Sequence, residues 1–259
     1  MKKRESINLA LIFIWPIIAT IISFTIKPNF FVGIILFLVV PSFYLSIQGK
    51  KYWKKAAIFA AGASIPIMVA IDYITHLTGI WIVPETILPF KIFDFVTLEV
   101  ILWAFFTTYF VVVFYEYFLD KHATKMLWTK KTKYLFIAGV ILFILFVFFY
   151  FFFPNLLKIP YWYLVFGIIF TLIPFLLQLF KYPKTTSKFF LPFIYFFFLH
   201  FIWEITALKL GWWDFPGEMF IGWVSIFGTN FPFEEVLFWF ILLALSILSF
   251  YEYFDDDEK

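Results

Sequence analysis

The sequence predicts an all-α polytopic membrane protein with about eight transmembrane helices. Of its 259 residues, 64% are hydrophobic and 14% are charged, and the mean hydropathy is +0.95. Soluble domains are typically about 45–50% apolar and about 25% charged, so this composition excludes a water-soluble globular protein. The chain has no Cys, its three His form no His-x-x-x-His pair, and its ten Gly match neither the dinucleotide nor the phosphate-loop spacing. We therefore expect neither a cofactor nor a metal.

Eight windows are long and apolar enough to cross a membrane, because a spanning helix needs about 20 mostly apolar residues. They cover roughly 7–26, 29–47, 56–76, 95–119, 134–154, 161–180, 189–209 and 232–254. The first window follows Met1-Lys2-Lys3-Arg4, but it is long and lacks a small-x-small cleavage site. We therefore interpret it as a span and not as a signal peptide.

The lysines of the connecting segments predict the orientation of the spans. The segments before the first span and after the second, fourth and sixth spans are rich in basic residues, whereas the other connections contain only Lys27, Lys91, Lys158 and Lys209. We therefore expect a multi-pass protein of the cell (cytoplasmic) membrane, with both termini in the cytoplasm and the loops 77–94 and 210–231 outside. The net charge of +3 then reflects membrane topology, and we expect no nucleic-acid partner.

Two segments of the chain, 72–120 and 204–256, align with each other. At an offset of 132 the matches are Asp72 with Glu204, Gly79 with Gly211, Trp81 with Trp213 and Pro84 with Pro216. At an offset of 136 they are Glu99-Val100 with Glu235-Val236, Trp103 with Trp239, and Phe-Tyr-Glu-Tyr-Phe at 114–118 with 250–254. Each half contains an even number of predicted spans. The sequence thus predicts two tandem, parallel-oriented four-helix repeats, 1–125 and 126–259, related by a twofold axis along the membrane normal.

Acidic residues at the outer ends of the spans are candidates for function. A charge deep in the bilayer costs about 2.5–3.5 kcal/mol on insertion scales, so such residues are functional hypotheses by default. Two alternatives remain open, namely capping of a helix N-terminus by adjacent acids and structural ion pairs with His76 or Lys209. Glu234 and Glu235 are adjacent, and the side chains of adjacent residues on a helix point about 100° apart around its axis. We therefore expect these two acids to have different roles. The candidates are Asp72, Glu99, Glu204, Glu234 and Glu235.

The tryptophans of the outer loops are a second candidate group. An aromatic belt at the membrane interface is one interpretation of Trp81, Trp212, Trp213 and Trp223. The other is a shaped loop that folds over the acids, since Trp81 and Trp213 are matched between the halves and lie beside Gly and Pro.

Three runs in the second half carry a resemblance to a known family. They read Gly211-Trp212-Trp213-Asp214-Phe215-Pro216-Gly217, Gly222-Trp223-Val224 and Phe231-Pro232-Phe233-Glu234-Glu235-Val236-Leu237-Phe238-Trp239. These runs resemble the lycopene cyclase domain of the flavin-independent membrane carotenoid cyclases, whose hallmark is Pro-x-Glu-Glu or Pro-x-Glu-Asp opening a transmembrane helix in each of two homologous domains. The first half is similar through Asp72-Tyr73, Gly79-Ile80-Trp81, Pro84-Glu85 and Leu98-Glu99. It has Val96-Thr97-Leu98-Glu99 in place of the hallmark, so only Glu99 carries over there.

The resemblance implies an intramolecular lyase (isomerase) that cyclises the linear end group of lycopene or a related polyene without net redox change. Glu235 is the expected proton donor and Glu234 or Glu99 its partner, with roles that are exchangeable. We expect Glu235 to lie in an apolar, aromatic-lined cavity within reach of Glu99 or Asp72. The expected catalytic residues are Glu235, Glu234, Glu99, Asp72 and Glu204, and the expected substrate-binding residues are Trp81, Trp212, Trp213, Trp239 and Phe238.

The expected partner is a lipid-soluble polyene that enters from the bilayer, and a homo-oligomer or contact with carotenoid-pathway enzymes is a further hypothesis. Two other functions remain open at this point. One is a transporter or binder of an apolar or cationic solute that uses the duplicated acids. The other is an enzyme that adds water to a carotenoid end group.

Overall fold

The computed structural model describes residues 3–49, 51–120 and 130–254. Within these ranges, eight helices are long and apolar enough to span a membrane. They are α1 (Lys3–Ile26), α2 (Phe30–Gln48), α3 (Trp53–Leu77), α4 (Leu98–Phe118), α5 (Lys130–Phe152), α6 (Trp162–Lys181), α7 (Pro183–Leu210) and α8 (Glu235–Phe254). The prediction of a helical, multi-pass membrane protein is confirmed. The predicted boundary between 125 and 126 lies outside the described residues, as do Lys2, Lys50, Lys121 and Lys125, which contribute to the predicted orientation.

Three of the spanning helices contain a stretch of π-helix. The stretches are Ile35–Val39 in α2, Ile168–Leu172 in α6 and Glu235–Leu242 in α8. In α2 and α6 a proline, Pro41 or Pro174, follows in the first turn of the next α-helical segment. Proline has no N–H to donate within the helix, and the wider turn accommodates its ring. The stretch in α8 is different, because it begins at an acidic residue with no proline after it.

The helices differ in how much of their surface the protein covers. α4 is the most buried of the eight, whereas most of the α1 and α5 surface is uncovered. The uncovered side chains are large and apolar, for example Ile21 on α1 and Phe152 on α5. In a bilayer such a surface faces lipid, so α4 lies at the centre of the bundle and α1 and α5 at its periphery.

The two ends of the helix bundle can be told apart by their contacts and connections. At one end, Lys55 Nζ lies 3.9 Å from Glu116 Oε1, and Lys188 Nζ lies 3.3 Å from Asp120 Oδ1. We call this the terminal end, because α1 begins and α8 ends there. At the opposite end a β-hairpin precedes each of α4 and α8, and we call it the hairpin end.

The two β-hairpins were not predicted from the sequence. β1 (Lys91–Ile92) pairs antiparallel with β2 (Val96–Thr97), and β3 (Trp223–Ile226) pairs antiparallel with β4 (Thr229–Pro232). Phe227 and Gly228 form a two-residue loop with φ of 52° and 74°, the backbone that a type I′ turn requires. The hairpins lead directly into α4 and α8 and therefore position the acids at the start of both helices.

At the hairpin end, positions that the sequence alignment matches contact each other. Ile82 and Asp214 exchange two backbone hydrogen bonds, each 3.0 Å long. The neighbouring rings of Trp81 and Trp213 have centroids 6.2 Å apart. Both pairs are separated by the offset of 132 residues that relates the aligned loops. The two outer loops therefore meet through equivalent residues.

At the terminal end, matched positions also meet in a reciprocal manner. The Tyr115 hydroxyl donates to Glu252 Oε1 over 2.6 Å, and the Tyr251 hydroxyl donates to Glu116 Oε1. These residues belong to the two copies of Phe-Tyr-Glu-Tyr-Phe, so each copy donates to the other and accepts from it. Glu116 and Glu252 are both buried. The two tyrosine–glutamate pairs join α4 to α8.

Candidate functional site

A cavity of about 40 Å³ lies toward the hairpin end, enclosed by α4, α6, α7, α8 and the two outer loops. We call it the acid cavity, because Glu204 on α7 and Glu235 on α8 both line it. Its other lining residues are mainly aromatic. A water molecule needs about 10–15 Å³ of such space, so the cavity has room for a small group beside the two carboxyl groups.

Six aromatic rings form a continuous wall around the acid cavity. Successive ring centroids lie 5.4 to 6.3 Å apart, within the usual range for packed aromatic pairs. A positive charge within about 6 Å of such a ring face is stabilised by it. We call this group the tryptophan wall; in order, its rings belong to Trp203, Trp213, Trp81, Trp103, Trp239 and Tyr163.

Glu235 is held by a residue from another helix. Its side chain is buried, and the Tyr163 hydroxyl of α6 donates to Oε1. Glu235 also lines the acid cavity. The preceding residue, Glu234, instead accepts a hydrogen bond from the Ile221 backbone N–H at 2.8 Å. The two adjacent acids therefore have different partners.

Glu204 and His200 lie one turn apart on α7, and both line the acid cavity. Trp213 Nε1 donates to Glu204 Oε1 over 3.1 Å, which links the carboxyl group to the tryptophan wall. His200 Nδ1 lies 2.8 Å from the backbone oxygen of Trp239. A carbonyl oxygen only accepts, so Nδ1 carries the proton and the imidazole fixes the π-helical stretch of α8 against α7.

Glu99 does not line the acid cavity. Its Oε1 accepts hydrogen bonds from the backbone N–H groups of Ile87 and Leu88, at 2.8 and 3.0 Å. Glu234 makes the corresponding contact with its own outer loop, so Glu99 and Glu234 have the same environment. The alignment that matches Glu99 with Glu235 is therefore shifted by one residue at this point. The π-helical stretch of α8 explains the shift, because a π-bulge accommodates one extra residue.

The expected neighbours of Glu235 are thus corrected. The structure places Glu204 in the acid cavity with Glu235, in place of Glu99 or Asp72. Asp72 is buried on α3, and its carboxyl group lies against the backbone of Thr97 at the start of α4. Asp72, Glu99 and Glu234 all contact the backbone of a loop or a helix start, whereas Glu204 and Glu235 contact aromatic side chains.

Three of the five expected aromatic residues, Trp81, Trp213 and Trp239, line the acid cavity, and Trp212 and Phe238 do not. Trp212 Nε1 donates to the backbone oxygen of Pro28 over 2.7 Å, and its ring packs on Gly33. Phe238 packs on Gly167 of α6 so closely that a Cβ atom there would overlap its ring. Trp212 and Phe238 therefore hold helices together and do not contact a cavity ligand.

Six residues of the acid cavity were absent from the predicted set, namely Trp103, Tyr163, His200, Trp203, Phe240 and Leu243. Trp103 carried a usable signal, because the alignment matches it with Trp239. Tyr163 carried none, since α6 lies outside the aligned segments. Only the packing of α6 against α8 reveals its role.

No family model, curated protein or solved structure matches the chain. Among residues 3–49, 51–120 and 130–254, no group of three His, Asp or Glu side chains is placed to hold a metal ion. The chemistry of the site follows from its own groups. It combines one carboxyl group that can donate a proton, a second that can accept one, and aromatic faces that stabilise positive charge between them.

Proposed function

We propose that this protein is a membrane carotenoid cyclase, which protonates and cyclises the linear end group of lycopene or a related lipid-soluble polyene without net redox change. The pairing of Glu204 and Glu235 inside the tryptophan wall carries this proposal. Cyclisation through a carbocation needs a proton source, a proton acceptor and a surface that stabilises the cation, and this arrangement supplies all three. The resemblance of residues 231–239 to the lycopene cyclase hallmark points to the same reaction.

In the proposed reaction Glu235 is the acid. Its Oε1 is occupied by the Tyr163 hydroxyl, so the proton is transferred from the other oxygen to the terminal carbon–carbon double bond. The resulting cation is attacked by the next double bond, which closes the ring. Glu204, as a carboxylate held by Trp213, takes a proton from the ring carbon next to the cationic centre and leaves a neutral cyclic alkene. Return of this proton to Glu235 restores the site. Glu204 thus takes the part first expected of Glu234 or Glu99.

The tryptophan wall stabilises the cation between these two proton transfers. Each ring that faces the charge contributes about 0.5–2 kcal/mol, the larger values applying to desolvated sites. The wall therefore favours ring closure within the substrate.

The proposal includes a duplication, with the halves 1–125 and 126–259 related by a twofold axis along the membrane normal. Reciprocal contacts such as Ile82 with Asp214 are the contacts that a twofold axis produces, and they support it. The π-helical stretches Ile35–Val39 and Ile168–Leu172 add independent support, since each is followed by a proline two residues later. In this arrangement Glu99 of the first half contacts its loop, and Glu235 of the second half is the reactive acid.

We also propose that the terminal end faces the cytoplasm, in the cytoplasmic membrane. The basic residues support this orientation, because Arg4, Lys55, Lys181 and Lys188 all lie at helix ends on that side. Such residues are concentrated in cytoplasmic loops of membrane proteins. The acid cavity then lies toward the outer side.

The test is expression in a host that accumulates lycopene, followed by extraction and chromatography of the pigments. The wild-type protein should produce a cyclic carotenoid, and Glu235→Gln should reduce its formation by about 10²–10⁴-fold, the usual contribution of a general acid. The adjacent variant Glu234→Gln is the matched control. Its amide oxygen still accepts from Ile221, so cyclisation should persist. A wild-type protein that leaves lycopene unchanged would refute the function, and an active Glu235→Gln would remove Glu235 as the donor.

Capture of the same cation by water is the second candidate function, because the acid cavity has space for a water molecule. A hydratase would yield an acyclic tertiary alcohol that is heavier than lycopene by one water, whereas a cyclase yields an isomer. A transporter or binder would leave the polyene unchanged. Mass spectrometry of the same extracts separates these outcomes.

A further inference from the structure

A second cavity, of about 110 Å³, adjoins the acid cavity and continues toward the terminal end. It is enclosed by α3, α4, α6 and α8, and it shares Trp103, Trp239 and Leu243 with the acid cavity. We call it the inter-helix cavity. The proposed reaction at Glu235 does not by itself assign it a role.

The surface of the inter-helix cavity is mainly apolar, and three of the five Ser and Thr residues that line it turn their hydroxyl groups to the backbone. Ser64 Oγ donates to the Ala60 carbonyl over 2.7 Å, Thr171 Oγ1 donates to that of Gly167 over 2.5 Å, and Ser246 Oγ donates to backbone carbonyls over 2.8 Å. These hydroxyl groups point at backbone and present carbon to the cavity. Apolar cavities of this kind stay dry, and one of about 150 Å³ takes up benzene or xenon. The natural content of the inter-helix cavity is therefore hydrocarbon.

At its far side the inter-helix cavity borders a groove on the surface of the bundle. Phe250 borders both this cavity and an open groove of about 570 Å³ between α6 and α8 at the terminal end. The groove exposes apolar side chains such as Leu177, which is 65% exposed and would contact lipid. Apolar lining thus continues from the acid cavity to the lipid-facing surface.

The path is shorter than the membrane is thick, but it crosses most of the hydrocarbon core. Phe250 follows Glu235 by fifteen helical residues, which at about 1.5 Å per residue is about 22 Å. The hydrocarbon core of a bilayer is about 30 Å thick. The shape of a narrow apolar path of this length fits an extended hydrocarbon chain better than a compact ligand.

We propose that the inter-helix cavity binds the unreacted chain of an acyclic polyene, which lies along the membrane normal with one end at Glu235 and the other leaving between α6 and α8. The position of the reacting end rests on the proposed function, whereas binding of the chain does not. Specificity then has two parts. The acid cavity selects the end group, and the inter-helix cavity selects a long, straight hydrocarbon behind it.

A matched pair of alanines on α3 tests this assignment. Ala63 lines the inter-helix cavity, whereas Ala61, two residues earlier and also partly exposed, does not. Ala63→Leu should fill part of the cavity, and Ala61→Leu should not. Each protein is purified in detergent from membranes that contain lycopene, and the bound lycopene per protein is measured by absorbance. We expect about a tenfold loss of bound lycopene in Ala63→Leu and little change in Ala61→Leu, since the added branched side chain displaces buried hydrocarbon of similar size.

Phe250→Trp provides a second obstruction from another helix, so the test does not depend on the folding of one variant. Binding of geraniol, a ten-carbon acyclic isoprenoid with the same branched terminal alkene, is also measured for each variant. Ala63→Leu and Phe250→Trp should impair the binding of lycopene and spare that of geraniol, because geraniol at Glu235 is less than half as long as the path to Phe250.

The outcomes separate this inference from the proposed function. Wild-type protein that binds lycopene, loses it in Ala63→Leu and forms no ring supports the chain site and refutes the cyclase. Wild-type protein that forms rings, with lycopene binding unchanged in both Ala63→Leu and Phe250→Trp, refutes the chain site alone. Wild-type protein that retains no lycopene also refutes the chain site.

Discussion

At the scale of single residues, the two carboxyl groups of the acid cavity differ in the donor that holds them. Glu235 accepts from the Tyr163 hydroxyl and Glu204 accepts from the Trp213 indole N–H. In the proposed reaction each donor leaves one carboxyl oxygen for the substrate. Tyr163 and Trp213 therefore set the orientation of the two carboxyl groups.

Replacement of Tyr163 by Phe removes the hydroxyl and keeps the ring of the tryptophan wall. Loss of a hydrogen bond to a carboxyl group costs about 0.5–3 kcal/mol, so we expect cyclisation to slow by about tenfold. Tyr161→Phe is the control, because Tyr161 is exposed two residues earlier in the chain. Initial rates of pigment conversion in membranes would measure the difference. Equal rates for the two variants would show that the Tyr163 hydroxyl does not orient the acid.

The neighbouring tryptophans Trp212 and Trp213 allow a second comparison. Trp213→Phe removes the donor to the buried Glu204, so it should lower the rate several-fold and also lower stability by about 1–3 kcal/mol. Trp212→Phe removes the donor to Pro28 outside the acid cavity, so it should lower stability by about 1 kcal/mol with little effect on rate. Rate and melting temperature are measured for both variants. A Trp213→Phe variant that loses stability and keeps its rate would reverse this assignment.

At the scale of elements, the start of α8 determines which acid enters the acid cavity. The π-helical stretch Glu235–Leu242 begins directly after Glu234, and a π-bulge shifts the following side chains around the helix axis. Glu234 contacts the loop and Glu235 contacts α6. α4 has no such stretch, since it is α-helical from Leu98 to Phe118, and its acid contacts a loop. The π-helical stretch, which α8 has and α4 lacks, therefore gives Glu235 and Glu99 different contacts.

The tyrosine–glutamate pairs that join α4 to α8 should stabilise the fold. Tyr115→Phe or Tyr251→Phe removes a donor from a buried glutamate, which costs about 1–3 kcal/mol. Tyr253→Phe is the control, because Tyr253 lies on the same helix and is exposed. Thermal unfolding in detergent should show a lower melting temperature for the first two variants. An unchanged melting temperature in both would mean that these pairs do not contribute to the association of α4 with α8.

At the scale of the whole molecule, the acid cavity and the inter-helix cavity lie one behind the other along α8. If the two cavities bind a polyene as proposed, they admit one end group at a time. A polyene with two reactive ends would then leave and return in the opposite direction before its second end reacts.

The arrangement predicts the order of products when both ends of lycopene are converted. The monocyclic carotenoid should appear first and accumulate free in the membrane, and the dicyclic product should follow with a lag. A time course of extracted pigments measures this, with added lycopene as a competitor that should prolong the lag. Formation of the dicyclic product without a free monocyclic intermediate would contradict release and rebinding.

The sequence by itself determined the number of membrane-spanning helices and singled out the acidic residues within them as candidates for a site. Eight apolar stretches of about 20 residues can satisfy their backbone groups in hydrocarbon only as helices, so their number follows from composition and length. Acids within such stretches are costly, so Glu204 and Glu235 are conspicuous without any structure. The match of Trp81 with Trp213 likewise points to residues that meet in the fold.

Only the tertiary structure decided which acids share a cavity and which residues accompany them. Glu99 and Glu235 align in the sequence, but the π-helical stretch of α8 and the backbone N–H groups of Ile87 and Leu88 give them different surroundings. Tyr163 lies on a helix outside the aligned segments and reaches Glu235 only because α6 packs against α8. The position of a membrane span depends on the apolarity and length of one continuous stretch, so it can be predicted from the order of the residues. The direction of a side chain depends on helix pitch and on neighbours distant in sequence, so it is fixed only when the helices pack.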